Sequence, residues 1–179
     1  MSSLIPLKPF ASTADTQLLQ VSANALRKEQ GRWLIEFQIE GDLSTMKWPE
    51  TFAIVESRKD DLWKHTCLEA FFAETLDPES PYVEMNCSPS GDWNIYVFSG
   101  YRQNLTPLSS CKVTLVEREG VEKGVHFTIS VDGLPPTSRL HIGLTAVIEH
   151  ANGNVSHWAL AHPGIKADFH DKHGFLLEL

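Results

Sequence analysis

The sequence predicts an all-β fold, a jelly-roll-like antiparallel β-sandwich of two sheets with about nine strands. Three segments alternate apolar and polar side chains with the period of two that a half-buried strand requires. These are residues 33–40, 125–131 and 140–149. Six segments alternate more weakly, at residues 17–23, 67–73, 82–88, 92–98, 111–118 and 156–161. Glycine and proline fall between the segments, as in turns, and no segment carries a sustained helical stripe.

The composition predicts one globular domain over residues 1–179, because 42% of the residues are hydrophobic and 21% are charged. The net charge of −8 disfavours nucleic acid and anionic membranes as partners, since both require a basic surface. No apolar run approaches the ~20 residues of a membrane span, and residues 1–10 do not resemble a signal peptide. Cys67, Cys87 and Cys111 are too widely spaced for a disulfide framework, so we expect a cytoplasmic protein with reduced thiols.

The strand at residues 67–73 contains a charge in an apolar setting. One face of this strand carries Leu68, Ala70 and Phe72, and the other face carries Cys67, Glu69 and Phe71. A buried carboxylate such as that of Glu69 needs a partner. The candidate cations are Arg58, Lys59, Lys64 and Arg102. The long irregular stretch before this strand, residues 41–65, includes a charged run at 56–61 that predicts a solvated loop.

A turn at residues 88–92 sets the register of the next two strands. Pro89 suits the first turn position, and Gly91 suits the left-handed position of a three-residue bulged loop. The predicted cross-strand pairs on one face are Tyr82 with Phe98, Glu84 with Tyr96, and Asn86 with Asn94. The opposite face is apolar and carries Val83, Met85, Cys87, Trp93, Ile95 and Val97. A carboxylate, amides and aromatic rings thus share the first face, a combination that suits the hydroxyls and flat C–H surfaces of a sugar.

Several motifs along the chain resemble those of the DOMON-like group, which is related to the family 9 carbohydrate-binding modules. The motifs are Trp63-x-x-Thr66-x-x-Glu69, Tyr82-x-Glu84-x-Asn86, Ser88-Pro89-Ser90-Gly91-Asp92-Trp93 and Tyr101-Arg102. The later segments Gly143-Leu144-Thr145-Ala146-Val147-Ile148-Glu149 and Trp158-Ala159-Leu160-x-His162-Pro163 are similar to a bacterial branch of stand-alone members. The resemblance extends from about Leu19 to the end. It implies a β-sandwich whose relatives bind sugars or haem.

Two departures from the family pattern bear on cofactors. Thr66 stands where the wider family often has Asp, which weakens the case for a metal site carried over from the family. The haem-binding relatives use Met and His as axial ligands, whereas Met85 is predicted to point into the core. The run His170-Asp171-Lys172-His173 predicts a surface turn rather than a metal site. We therefore expect no cofactor and no metal.

We expect the outward face of strands 67–73, 82–88 and 92–98 to form the floor of a ligand groove. The predicted floor residues are Glu69, Glu84, Asn86 and Tyr96, and the predicted rim residues are Trp63, Tyr101, Arg102 and Trp158. A tryptophan, Trp63 or Trp158, would stack on a sugar ring, and Glu84 with Asn86 would bind hydroxyls. Arg102 would hold Glu69 or an acidic group of the ligand.

The function that these residues favour is non-catalytic binding of a carbohydrate or a sugar-containing small molecule, with no catalytic residue. One alternative is a small sugar-processing enzyme that uses Glu69, Glu84 and Glu149, since a glycosidase needs two carboxyl groups about 5–10 Å apart. Another alternative is a scaffold whose polar sheet face meets a second protein.

Overall fold

The structure, a computed structural model, describes residues 3–49, 57–135, 137 and 139–179. These residues form thirteen β-strands in two antiparallel sheets. Five 3-10 helices lie between the described strands, at Thr16–Leu18, Glu29–Gly31, Leu43–Thr45, Leu62–Lys64 and Lys172–Gly174. None of these short helices has the length and apolar character needed to cross a membrane.

The first sheet has five strands in the order β1-β3-β4-β10-β9. Its strands are β1 (Ile5–Pro6), β3 (Leu19–Arg27), β4 (Trp33–Gly41), β9 (Lys112–Val121) and β10 (Gly124–Asp132). Phe127 of β10 lies opposite Phe37 of β4, and Ile129 lies opposite Ile35. All four side chains are fully buried, because this register directs one face of both strands into the core.

The second sheet has eight strands, of which seven follow the order β2-β12-β11-β5-β6-β7-β8, and β13 pairs with β11. Its long strands are β5 (Cys67–Ala73), β6 (Tyr82–Cys87), β7 (Trp93–Phe98), β11 (His141–Glu149) and β12 (Val155–Ala159). Its two-residue strands are β2 (Lys8–Pro9), β8 (Thr106–Pro107) and β13 (Leu177–Glu178). The two sheets enclose one main core, so the fold is the β-sandwich that the alternation predicts.

The nine strands of five or more residues correspond to the nine predicted segments. The prediction missed the four strands of two residues each, because alternation over so few positions carries no periodic signal. Met85 is fully buried in the main core, as predicted, which keeps its thioether away from any surface site.

The hairpin between β6 and β7 has the predicted register. Glu84 pairs with Tyr96 and Asn86 pairs with Asn94. The loop closes through the Ser88 N–H, which donates to the Asp92 carbonyl at 2.8 Å, and Gly91 has the left-handed φ of 97° that this loop requires. The turn therefore determines which side chains of both strands share a face.

Replacing Gly91 with valine should lower the free energy of unfolding by about 1–2 kcal/mol, because a β-branched residue is disfavoured at positive φ. Gly120→Val is the matched control, since Gly120 lies in β9 and a Cβ there would meet nothing within 4 Å. Urea unfolding of both variants tests the expectation. Equal stability of Gly91→Val and the native protein would contradict the left-handed assignment.

Candidate functional site

The face of the second sheet that points away from the core is covered by the chain itself; we call it the outer face. We expected this face to form the floor of a ligand groove. Six residues on the outer face of the β6–β7 hairpin are instead buried: Tyr82, Glu84, Asn86, Asn94, Tyr96 and Phe98. Two segments cover them, residues 57–66 and residues 161–176, neither of which has a periodic pattern.

The first covering segment is held along β7 by backbone and side-chain hydrogen bonds. The Trp93 N–H donates to the Ser57 carbonyl, and the Lys59 N–H donates to the Trp93 carbonyl, both at 3.0 Å. Asp60 Oδ1 accepts from the Tyr96 hydroxyl at 2.7 Å and from Asn94 Nδ2 at 3.0 Å. The described part of the charged run is exposed, as predicted for a solvated loop, but its side chains also bind β7.

The second covering segment is anchored by an aromatic ring and a lysine. The Phe175 ring lies 5.5 Å from that of Phe71, in a space that exists because residue 143 is glycine: a Cβ there would approach the Phe175 ring to 2.6 Å. The buried Lys172 ammonium donates to the carbonyls of Asp77 and Ser80, each at 2.7 Å. These contacts fix residues 167–170 over the sheet.

A cavity of about 340 Å³ lies on the outer face of the sheet. Its lining combines four aromatic rings with carboxyl, imidazole, guanidinium and aliphatic groups: Trp63, Glu69, Phe71, Glu84, Phe98, Arg102, Leu105, Val147, His157, Ala167, Phe169 and His170. The strands β5 and β6 supply both carboxyl groups, so a rigid sheet positions them.

The two carboxyl groups of the cavity are diagonal neighbours in the sheet. Glu69 pairs with Asn86 across β5 and β6, and Glu84 lies two residues before Asn86. Diagonal neighbours of this kind have their Cα atoms about 7 Å apart. Asn86 Nδ2 donates to Glu84 Oε1 at 2.7 Å, and the Thr145 hydroxyl donates to Glu69 Oε2 at 3.1 Å. Glu69 Oε1 is buried and has no hydrogen-bond partner among the described residues.

Burial controls the protonation of both glutamates. It raises the pKa of Glu84 to about 7, against the opposing effects of the Asn86 hydrogen bond and the Arg102 charge. Burial also raises the pKa of Glu69 well above its ordinary value, and the nearby charge of Glu84 raises it further. The two acids therefore hold protons in a pH range where exposed glutamates are ionised.

Arg102 and His170 also line the cavity, and Tyr82 and Asp168 hold these two side chains in position. The Tyr82 hydroxyl accepts a hydrogen bond from the backbone N–H of Arg102 at 3.2 Å, and it lies 2.6 Å from His170 Nδ1. His170 Nε2 faces Glu84 Oε2 at 3.9 Å, and burial lowers the pKa of His170 to about 4. The imidazole is therefore neutral at physiological pH. The Arg102 guanidinium pairs with Asp168 at 2.8 Å and remains half-exposed at the rim.

Four of the eight predicted site residues line the cavity: Trp63, Glu69, Glu84 and Arg102. Asn86 and Tyr96 lie on the same face of the sheet but do not line the cavity; each contacts a residue that does. Asn86 is fully buried against Glu84, and Tyr96 packs under Trp63 with ring centroids 6.0 Å apart. Tyr101 lies outside the lining, where its exposed ring carries a hydroxyl that donates to Asp168.

Trp158 does not lie at the rim, so its predicted position is wrong. Its side chain is 2% exposed in the main core, where the indole N–H donates to the Ser156 hydroxyl at 3.0 Å. Alternation along β12 explains the error: Trp158 and Ser156 share the core side, and the intervening His157 lines the cavity. A one-residue difference in a short strand reverses the faces.

The ion pairs proposed for Glu69 are also wrong. Arg58 binds Asn94 and the carbonyls of Leu108 and Cys111. The other three cations pair elsewhere, in Lys59–Asp92, Lys64–Asp61 and Arg102–Asp168. Glu149 does not join the other two glutamates, since its carboxylate binds Lys47 and His65, each at 2.8 Å.

Sequence reasoning missed the residues that the second covering segment and β12 contribute, namely His157, Ala167, Phe169 and His170. His170 belongs to a run that predicts a surface turn, but its imidazole is packed 5.4 Å from the Phe71 ring. No periodic pattern marks residues 161–176. The aromatic residues Phe169 and Phe175 in an irregular segment are the only signal that this segment packs against the sheet.

No family model matches the sequence, and no curated protein matches it. Solved structures that share the β-sandwich fold of this chain include carbohydrate-binding modules. A candidate carbohydrate-binding protein from Bacteroides uniformis is similar over 97% of this chain and 84% of its own, with a TM-score of 0.66 and 12% identity.

Two structures of a family 9 carbohydrate-binding module from Caldicellulosiruptor kristjanssonii share the fold as well. The complex with cellotriose is similar over 88% of this chain and 71% of its own, with a TM-score of 0.52 and 6% identity. The complex with glucose is similar over 94% of this chain and 77% of its own, with a TM-score of 0.51 and 8% identity. The fold is therefore like that of the family 9 modules.

The buried acid of Glu84 should make stability depend on pH. Its folded pKa of about 7 lies above the ordinary 4.5, so its contribution is fully present below about 4.5 and is lost as the pH rises through about 7. The lowered pKa of His170 has the opposite effect, since that contribution is lost as the pH falls. Comparison of the native protein with Glu84→Gln isolates the glutamate, because glutamine keeps the acceptor for Asn86.

We expect Glu84→Gln to gain roughly 1–3 kcal/mol of unfolding free energy relative to the native protein as the pH rises from about 5 to about 8. Urea unfolding at several pH values measures this difference. Glu149→Gln is the control and should show no such gain, because ion pairing with Lys47 lowers the pKa of Glu149. Parallel stability curves for Glu84→Gln and the native protein would contradict the buried acid.

Proposed function

We propose that the protein is a non-catalytic binding domain whose cavity takes a carbohydrate or a sugar-containing small molecule. The observation that carries the proposal is the cavity itself, in which four aromatic rings and two buried carboxyl groups surround about 340 Å³. This volume lies at the lower end of the range for small-molecule sites, about 300–1,000 Å³, and favours a ligand of one or two sugar rings.

The chemistry of the lining supports a sugar. The indole of Trp63 offers a flat apolar surface for the C–H face of a ring, and Glu84 and Arg102 offer groups that bind hydroxyls. The sheet holds the glutamates before any ligand arrives, which reduces the cost of ordering them on binding. The neighbours with cellotriose and glucose bound add support at the level of the fold.

Finer parts of the proposal rest on the sequence. The Trp63-x-x-Thr66-x-x-Glu69 motif and the hairpin favour a relation to the DOMON-like group and its bacterial stand-alone branch. The wide spacing of the three cysteines favours a cytoplasmic location. In that compartment a small sugar or a sugar nucleotide is a more suitable ligand than a polysaccharide.

One observation favours an enzyme as the second candidate: Glu69 and Glu84 meet in one cavity, and burial raises the pKa of Glu84 to about 7. Both groups project from the same sheet face, however, whereas a glycosidase places its carboxyl groups on either side of the bond it cleaves.

Glu84→Gln distinguishes the two candidates. An enzyme would keep binding and lose turnover, whereas a binding domain would lose affinity and show no turnover in either form.

The scaffold alternative required the polar groups of the outer face to meet another protein. Asn86, Asn94 and Tyr96 are buried under the protein's own covering segments, so they are not accessible to a partner. This burial favours a small ligand over a protein partner at the outer face.

A glycan array and a thermal-shift screen with monosaccharides and sugar nucleotides should yield a sugar ligand. For the best hit, Trp63→Ala should weaken binding at least about tenfold through loss of stacking, and Trp63→Phe should retain most of the affinity. Isothermal titration calorimetry measures both. Glu149→Gln, which lies outside the cavity, should bind like the native protein.

The absence of any sugar hit in both screens would contradict the proposal. So would a hit that binds Trp63→Ala as tightly as it binds the native protein.

A further inference from the structure

One of the groups that line the cavity is a buried carboxyl group with an oxygen that accepts no hydrogen bond from the described residues. Glu69 is 2% exposed; its Oε2 accepts from Thr145, and its Oε1 has no hydrogen-bond partner among the described residues. Burying an acceptor without a partner destabilises a fold, so a ligand group that donates to Glu69 Oε1 would supply a hydrogen bond that the described residues do not.

The described residues supply no lysine or arginine as a counter-ion for this group. Among the described residues, neither Glu69 nor Glu84 pairs with a lysine or an arginine. Arg102, the cation at the rim, is already paired with Asp168. The imidazoles of His157 and His170 line the cavity, but burial lowers the pKa of both rings and favours their neutral forms.

The remaining walls of the cavity also favour a cation. The rings of Trp63, Phe71, Phe98 and Phe169 all line it. Aromatic faces carry negative potential and attract ammonium groups, most strongly where water is excluded. Two carboxyl groups and several aromatic rings thus surround a space that holds no unpaired positive charge in the described structure.

We propose that the ligand of this cavity carries a protonated amine that lies between Glu69 and Glu84, and that the ligand is an amino sugar with a free rather than an acetylated amino group. This inference rests on the proposed carbohydrate function. An ammonium group has three donors, enough to bind Glu69 Oε1 and the Glu84 carboxylate together.

An ammonium group fits better than a hydroxyl for two reasons. Hydrogen bonds between charged partners are roughly twice as strong as those between neutral partners. Burial keeps protons on the two glutamates where exposed glutamates are ionised. An ammonium group between them stabilises their ionised forms and displaces the protons to solvent, whereas a neutral hydroxyl does not. Acetylation of the nitrogen removes the charge and with it both advantages.

The test compares five probes by isothermal titration calorimetry on the full chain: glucosamine, glucose, N-acetylglucosamine, cyclohexylamine and cyclohexanol. We expect glucosamine to bind at least about tenfold more tightly than glucose and N-acetylglucosamine. Glu69→Gln should lose about tenfold in glucosamine affinity and change glucose affinity by less than about threefold. Glu149→Gln serves as the control and should match the native protein with every probe.

The outcomes separate this inference from the proposed function. Equal affinity for glucosamine, glucose and N-acetylglucosamine would overturn the amine inference and leave carbohydrate binding standing. Binding of cyclohexylamine without binding of any sugar would support an amine site and contradict the carbohydrate function. Unchanged glucosamine binding in Glu69→Gln would overturn the assignment to this cavity, as would no binding of any probe.

Discussion

The central strands of the eight-stranded sheet, β5, β6, β7 and β11, are buried on both faces, and the organisation of the candidate site follows from that constraint. Polar groups buried without partners destabilise a fold, so each polar side chain on the outer face needs an internal hydrogen bond. Asp60 provides it for Asn94 and Tyr96, and His170 provides it for Tyr82. Glu69 Oε1 is the fully buried oxygen of β5, β6 and β7 that the described residues leave without a partner.

The sheet and the covering segments contribute different groups to the site, an arrangement that suits a binding site. Strands β5 and β6 hold the carboxyl groups in a fixed register, whereas the irregular segments supply rings and imidazoles that close the space above them. Gly143 is central to this arrangement, because its missing side chain lets the Phe175 ring settle against the sheet. Binding sites are commonly built in this way, with loops placed on a rigid scaffold.

The sequence was sufficient to predict the sandwich, because nine strands are long enough to show alternation and the Pro89–Gly91 turn defines one register. It was also sufficient to place Glu69 and Glu84 on one face. It did not reveal that this face is covered, since alternation distinguishes two faces without showing what packs on either. The covering residues, such as Asp60 and His170, lie in segments without periodicity. Trp158 was misplaced because β12 is only five residues long and its alternation is weak.

The candidate site depends on two buried acids, Glu69 and Glu84, that share one cavity and pair with no lysine or arginine among the described residues. A carbon-13 NMR titration of the glutamate carboxyl groups tests their burial directly, with Glu69→Gln and Glu84→Gln to assign the signals. Glu84 should titrate near pH 7, and Glu69 should titrate well above the ordinary value of 4.5. Titration of both groups near 4.5 would show instead that they are solvated or paired with a cation.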